Sequence, residues 1–440
     1  MTTTILPRAG ATASNAEDAA YARVTWRLLP LLFICYVAAY LDRVNVGFAK
    51  LQMLNDLHFS EAIYGLGAGI FFLGYFIFEV PSNLALHRYG ARKWIARIMV
   101  TWGILSSAML FADGAATFYL LRFLLGVAEA GFFPGIILYL TYWFPARERA
   151  RMVAFFMTAI AFATVLGNPL SGAIMEYMAV AGGLKGWQWL FLLEGLPSVV
   201  LGIVVLFVLT DRPEQARWLT DEEREWLARR LGQEERDIRQ QHGADRLRVL
   251  VEDKRVWLLI CLYFTVAVGA NAFGAYLPRL LEISFPSYNF FQIGLIGSLP
   301  SLCAVLGMTL WASHSDRTGE RVGHVAIAAL VAAVGWSLAA MNFSPVLSLV
   351  GLCLALMGMM SMLPVFWTLP NTFLTGAAAA GGIALINSFG NIGGILGALI
   401  LGEFGLWAMA GILFAGVVLT VFVRPKKPMT KPLAEVTHHA

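Results

Sequence analysis

The chain has 440 residues, of which 58% are hydrophobic and only 14% charged. Soluble domains carry about 25% charged residues, so the composition excludes an ordinary soluble protein and is that of a polytopic membrane protein. The net charge of +4 does not imply nucleic acid, because the basic residues gather in particular loops.

Reading apolar windows of about 20 residues predicts twelve spans, at about 26–49, 62–84, 92–112, 115–140, 151–177, 187–209, 256–281, 290–312, 322–342, 346–368, 379–401 and 404–423. Gly and other small residues interrupt the fifth and eleventh, as expected where helices pack closely in lipid. Between the sixth and seventh spans, residues 210–255 are dense in interleaved acids and bases. Thr220 followed by Glu223 resembles a capping box. A short surface helix is expected there, with Trp226 and Leu227 on the membrane surface. The expected organisation is a tail at 1–25, a six-helix bundle at 26–209, a linker at 210–255, a second bundle at 256–423 and a tail at 424–440. The first residues are polar, and no cleaved signal peptide is evident.

Lys and Arg set the expected orientation. His87-Arg88-Tyr-Gly-Ala-Arg92-Lys93, then Arg147, Arg149 and Arg151, then Arg317 and Arg321, then Arg424, Lys426 and Lys427 fall on one side. The opposite loops hold only Lys50, Lys185 and Arg279 as exceptions. The positive-inside rule then puts both termini in the cytoplasm. Cys35, Cys261, Cys303 and Cys353 lie in apolar runs without CxxC spacing and read as reduced packing residues.

Charges inside the apolar runs are the functional signal. An ionised group at the centre of a membrane helix costs roughly 2.5–3.5 kcal/mol even on lenient scales. Such groups persist where they face a partner or a wet cavity. Asp42 and Arg43 lie in the first span, Arg122 and Glu129 in the fourth. With a rise of about 1.5 Å per residue, Asp42 lies roughly 20 Å up from the inner edge and Arg122 roughly 8–10 Å down from the outer edge of a core about 30 Å thick. The two depths meet, so an Asp42–Arg122 pair is expected. Glu129 lies two turns deeper on the Arg122 face, within reach of Arg43. A guanidinium binds carboxylate through a planar fork and stays protonated. Burial disfavours an ionised carboxyl and a nearby arginine favours it, and between these pulls an acid exchanges protons near neutral pH. Two arginines can therefore hold an organic anion while Asp42 and Glu129 take protons. The alternative is a pair of structural ion pairs locking spans one and four together. Asn387 and Asn391, four apart and so on one helical face, would add hydrogen bonds from the second half. Glu79 and Glu194 read as structural or gating groups. Phe366 and Trp367 are candidates to line the cavity.

The halves repeat weakly. His87-Arg-Tyr-Gly-Ala-Arg-Lys follows the second span and Asp316-Arg-Thr-Gly-Glu-Arg follows the eighth. Two similar halves joined by a linker imply a cavity between them. His87, Arg88, Arg92, Asp316, Arg317 and Arg321 read as a latch that stabilises the outward-open state through cytoplasmic contacts.

These features resemble the major facilitator superfamily. Tyr40-Leu-Asp-Arg-Val-Asn-Val-Gly-Phe-Ala49, Phe78-Glu-Val-Pro-Ser-Asn-Leu84, Arg122-Phe-Leu-Leu-Gly-Val-Ala-Glu-Ala-Gly-Phe-Phe-Pro-Gly135, Tyr142-Trp-Phe-Pro145 and Ile383-Ala-Leu-Ile-Asn-Ser-Phe-Gly-Asn-Ile-Gly-Gly394 resemble its anion:cation symporters, and within them bacterial permeases for tartrate, phthalate, hydroxyphenylacetate and sugar acids. The seventh span departs from that pattern: Phe273-Gly-Ala-Tyr276-Leu-Pro stands where relatives often carry Phe-Trp-Leu-Pro. The resemblance implies an all-α integral membrane fold, with twelve transmembrane helices in two six-helix bundles around a central cavity. It assigns anion binding to Arg43 and Arg122 and proton coupling to Asp42 and Glu129, and it matches Tyr75 to a substrate-contacting tyrosine. The expected function is proton-coupled uptake of an organic carboxylate such as tartrate or a related hydroxy or sugar acid, by alternating access in a bacterial inner membrane. An aromatic acid such as phthalate or hydroxyphenylacetate is the alternative. No cofactor or metal is expected, the proton gradient being the driving force. The expected partners are the small anion, protons and membrane lipids, not nucleic acid, and a monomer is expected. The chain shows no HExxH or nucleophile–base pair, no Gly-rich nucleotide loop and no channel filter. These absences argue against an intramembrane enzyme, an ATP-driven pump and a channel.

Overall fold

A computed structural model describes residues 9–179, 181–240, 252–372, 374 and 376–423. The tail at 424–440 and the linker residues 241–251 lie outside the described residues. Every regular element among the described residues is helical. The long helices are α1 (Ala9–Asp56), α2 (Glu61–Tyr89), α3 (Ala91–Ala108), α4 (Ala115–Glu129), α5 (Phe132–Thr141), α6 (Ala146–Tyr177) and α7 (Gly186–Val208). They are followed by α8 (Asp221–Gln240), α9 (Lys254–Ser284), α10 (Phe290–Thr318), α11 (Val322–Met341), α12 (Pro345–Phe366) and α13 (Gly376–Thr420).

Local sequence explains where they start and stop. Ser60 Oγ accepts from the Ile63 N–H at the start of α2. Asn289 and Gln292 cap α10 reciprocally, and Ser344 caps α12 with Pro345 at its first position. These caps satisfy amides that a helix leaves unpaired. Interior prolines such as Pro169, Pro278 and Pro300 are tolerated because neighbouring helices re-satisfy the freed carbonyls.

Eleven continuous segments among the described residues are long and apolar enough to cross a bilayer. The last, Leu385–Thr420, has 36 residues, far beyond the roughly 20 needed. It is broken at Gly405, where φ is 72° and ψ is −171°, a backbone conformation open to glycine. That break makes two spans of one segment, and with it the chain crosses twelve times. The fourth span is broken the other way. Ala130 leaves the helix after Glu129, and Gly131 follows at φ 84°. A Cβ at Gly131 would lie 2.4 Å from Ser82 Oγ of α2.

The two halves repeat one packing plan. In the first, α1 packs on α6 and α7, α2 on α4, and α3 on α7; in the second, α9 packs on α13, α10 on α12, and α11 on α12 and α13. They meet through α6 with α10, α2 with α13, and α1 with α9. Small residues make this contact close: a Cβ on Gly294 would lie 2.4 Å from Asn168 O, and one on Gly69 would lie 2.6 Å from Ile395 O. Asn168 Nδ2 donates to Gly297 O at 2.8 Å, and Ser298 Oγ to Val165 O at 2.7 Å.

These cross-half contacts cluster toward one end, the end holding the α1–α2 and α9–α10 turns, termed the far end. There Lys50 Nζ is 2.5 Å from Glu61 Oε2 and 3.0 Å from the Tyr276 ring centroid, and Arg279 Nε is 3.7 Å from Glu61 Oε1. Lys185 pairs with Asp56 at 2.9 Å. All three basic residues that break the loop-charge pattern are thus held by acids.

The linker differs from expectation. Thr220 and Glu223 do form the capping box of α8. Leu227, however, is fully buried against the first bundle, and Trp226 meets the Tyr21 ring edge-on at 5.1 Å. Arg23 bonds Glu223 at 2.9 Å. These residues dock α8 on α1, because α1 continues as helix from Ala9, through the stretch expected to be a tail, and offers them a surface.

Candidate functional site

Asp42, Arg43, Asn45, Arg122 and Glu129 come together in the first half. Arg43 Nε donates to Glu129 Oε1 at 2.8 Å, and its Nη2 reaches the same oxygen. Glu129 is buried, while the Arg43 side chain keeps 28% of its surface. The pair therefore presents guanidinium surface beyond its own salt bridge. The Arg43 guanidinium lies 5.2 Å from the Tyr40 ring, 5.6 Å from Tyr75 and 6.0 Å from Phe71, so aromatic faces hold the cation in place.

Arg122 is buried and has no acid within ion-pair distance among the described residues. Its guanidinium donates to Gly67 O at 3.3 Å and, at the limit, to Ala68 O at 3.5 Å, and it stacks 4.8 Å from Phe71. Phe71 is thus shared by both arginines, which places them on one side of α2. A buried cation without a counter-charge costs several kcal/mol.

The expected Asp42–Arg122 pair is not formed. Asp42 turns the other way, toward α3 and α7. It accepts from Trp102 Nε1 at 2.5 Å, Ser106 Oγ at 2.6 Å, Asn45 Nδ2 at 3.2 Å and Ser198 Oγ at 3.3 Å. Matching depth did not reveal azimuth: neighbours 42 and 43 point about 100° apart on a helix, and Arg43 took the α4 side. Trp102, Ser106 and Ser198 were missed by the sequence reading. The Ser106-Ser107 pair inside an apolar run was the available signal.

In the second half, Tyr263 on α9 donates to Asn387 Oδ1 at 3.5 Å, a weak contact. Its ring stacks on Phe366 with centroids 5.4 Å apart and meets Trp367 at 4.9 Å. These three rings form an aromatic wall on α9 and at the end of α12. Tyr263 was not anticipated. Gly390 makes its room, since a Cβ there would lie 2.1 Å from Tyr263 Cε1. Asn391 sits on α13, but its side chain lies outside the described residues.

The two basic turns lie at the end opposite the far end, and each is bonded within its own half. The Arg92 N–H donates to Asp211 Oδ1 at 2.7 Å, and Arg88 lies over Tyr89. Arg321 bonds Asp316 Oδ1 at 2.7 Å and Ser315 Oγ at 3.0 Å. His87 and Arg317 are exposed. No hydrogen bond or ion pair joins the two turns among the described residues, as fits a molecule closed at the far end.

The Major Facilitator Superfamily profile matches residues 32–398. The chain belongs to that superfamily. It is a multi-pass membrane transporter and not an enzyme. It is 46% identical over 441 residues to a protein of Agrobacterium vitis named "Putative tartrate transporter", covering 98% of this chain and 97% of that one. It is 41% identical over 412 residues to a "Quinolone resistance transporter" of Acinetobacter baumannii, covering 92% and 94%. The solved D-xylose-proton symporter shares the fold, with a TM-score of 0.71, 18% identity, and 92% and 98% of the two chains covered.

Proposed function

We propose that this transporter takes up an organic carboxylate, tartrate or a related hydroxy or sugar acid, together with protons, into a bacterial cytoplasm. The observation that carries the reading is Arg122: a buried guanidinium without an acid partner, beside a second guanidinium that still shows surface. A dicarboxylate or hydroxy acid supplies the missing counter-charge, and Arg offers it a planar fork. Asp42 and Glu129 are the proton-coupling acids of this reading, each held ready by neighbouring donors. The 46% identity to a protein named as a tartrate transporter supports the substrate class. With the basic turns in the cytoplasm, the far end faces the periplasm and the described state opens inward.

The test is uptake of labelled tartrate by purified protein in phosphatidylethanolamine–phosphatidylglycerol vesicles. An imposed pH gradient, alkaline inside, should drive accumulation, and a sodium gradient should not. Equal uptake without a gradient would refute coupling.

A second reading, an aromatic acid, is favoured by the Tyr263–Phe366–Trp367 wall. A thermal-shift panel separates the two, since a ligand stabilises by RT ln(1 + [L]/Kd). Tartrate stabilising more than phthalate at equal concentration supports the first.

A further inference from the structure

A shelf of basic and aromatic side chains lies on the outside of the first half, apart from the transport site. It is built on α3, which packs on α7, α4 and α2 of its own half. Met99 and Gly103 meet α7. Residues seven apart share one helix face, so Arg97 lies on a stripe with Ile104, which is 55% exposed, and the stripe runs on to Phe111, 73% exposed. Exposed apolar side chains on a membrane span face lipid. Arg97 thus carries a charge onto a lipid-facing stripe, about 9 Å in from the start of α3 at Ala91. A charge there is costly unless it meets an anion or reaches the headgroup layer.

The surroundings of Arg97 are ordered. Its guanidinium lies 4.4 Å from the centre of the Trp94 ring, and its Nη1 is buried without a partner. Trp94 Nε1 donates to Ser82 Oγ of α2 at 3.0 Å, and the ring stacks on Tyr89 with centroids 5.6 Å apart. Arg88 lies 5.6 Å from the centre of the Tyr89 ring. Lys93 is exposed, four residues before Arg97 and so on its face. Among the described residues no acid pairs with Arg88, Lys93 or Arg97. Asp211, the acid beside this turn, accepts from the Arg92 N–H.

We propose that this shelf binds the phosphate of an anionic phospholipid of the phosphatidylglycerol class, from the leaflet at the end holding the basic turns. The Arg97 fork takes the phosphate oxygens. Lys93 adds charge at the headgroup layer, the Trp94 and Tyr89 rings lie at the membrane–water boundary, where such rings are favoured, and the acyl chains run along Ile104 and Phe111. Basic pockets at this level suit anionic headgroups, while the ammonium of a zwitterionic lipid meets three cations and no acid. A lipid is the fitting source of the phosphate because the guanidinium lies inside the span, on an apolar stripe that only lipid covers.

Native mass spectrometry of the purified protein, given phosphatidylglycerol and phosphatidylethanolamine in equal amounts, tests this. Adducts should favour phosphatidylglycerol, and equal adducts overturn the proposal. Arg97→Leu suits a lipid-facing position and should weaken phosphatidylglycerol binding about ten-fold, the value of one charge-assisted hydrogen bond. Arg97→Gln carries the same expectation should Arg97→Leu fail to fold, and undiminished binding by either overturns the site. Trp94→Leu keeps every charge and should weaken binding several-fold; unchanged binding would leave charge attraction alone and refute a built shelf. Arg27→Gln removes an exposed arginine of α1 outside the shelf and should change nothing. An equal loss there would mean that net positive charge attracts the lipid, against the proposal. Inorganic phosphate at millimolar concentration should not displace the lipid, and displacement would make this a soluble-phosphate site and overturn the lipid assignment.

Discussion

The two halves of the transporter share a packing plan and differ in what they bury. The first half buries Asp42, Lys50, Arg122, Glu129 and Glu194; the second buries no described Asp, Glu, Lys or Arg side chain, and His324 is its one buried described histidine. In place of ions the second half presents Tyr263, Phe366, Trp367 and Asn387. The difference has a mechanical meaning. The Arg43–Glu129 pair, the Phe71 contacts and the donors around Asp42 all come from the first half. That half can move as one body without breaking a buried ion pair, whose rupture costs roughly 3–5 kcal/mol. Charge chemistry is kept in one half, and the other supplies a wall that can swing past it.

The largest effect that would break this comparison is at Arg122. Arg122→Ala should abolish detectable substrate binding by calorimetry, a loss of at least about 100-fold, the value of one forked charge-assisted contact. Arg122→Lys should recover little, because a point charge replaces the fork. Arg43→Ala should lose binding too, and lower expression by leaving Glu129 buried without its partner. Normal binding by Arg122→Ala would mean that the anion is held elsewhere.

Next in size is Glu129→Gln, which keeps the shape of the side chain and removes its carboxylate. Binding and substrate counterflow should survive, since counterflow needs no reset of the empty carrier. Accumulation driven by a pH gradient should fall to background. Full accumulation would leave Glu129 as the structural partner of Arg43, and coupling would fall to Asp42 alone.

The fold was legible because a bilayer imposes one rule, about twenty apolar residues per crossing, and eleven continuous segments among the described residues obey it. The break between the eleventh and twelfth spans shows the limit of hydropathy, since Gly405 turns the chain while the residues on both sides of it stay helical and apolar. The site was legible as a set of charges and not as a set of pairs. Hydropathy gives depth along a span, but pairing depends on which way each side chain points. Arg43 was placed by its reach, and Asp42 was misplaced because nothing in its own neighbourhood distinguishes Arg122 from Trp102, Ser106 and Ser198. Tyr263 was invisible for another reason: a lone tyrosine in an apolar run carries no mark, and the glycine that makes room for it lies 127 positions later, at Gly390.

A moderate effect is expected at the far end, where the halves do exchange ions. Lys50 and Glu61 of the first half meet Arg279 and Tyr276 of the second. Lys50→Met should weaken this closure and raise labelling of a cysteine substituted for Ser298, a buried position of similar size whose Oγ donates to Val165 O across the halves. Unchanged labelling would show that the glycine contacts between α2 and α13 and between α6 and α10 close this end without the ions.

The smallest effect sharpens the comparison at the opposite end. The Asp316–Arg321 bond is largely exposed, with Asp316 at 68%, and an exposed pair contributes about 0–1 kcal/mol. In the described state it joins nothing to the other half, so Asp316→Ala should leave thermal stability almost unchanged. If the turns at 87–93 and 316–321 form the proposed latch, its effect should fall on the other state, in which the latch reading brings them together. Removing the acid there leaves the basic side chains of both turns without it, and the population should move a few-fold at most toward the inward-open form. Cysteine labelling of the vestibule at this end reads that change. The neighbouring Glu320 gives an internal control. Burial opposes its carboxylate, yet the N–H groups of Gly323 and His324 and the His324 ring outweigh it and hold the pKa below the usual range. Its contribution to the turn is therefore present at neutral pH and is lost only in acid, as pH falls through the depressed pKa. Across neutral pH the labelling difference between wild type and Asp316→Ala should stay constant. A difference that varies there would assign the effect to another group and not to Asp316.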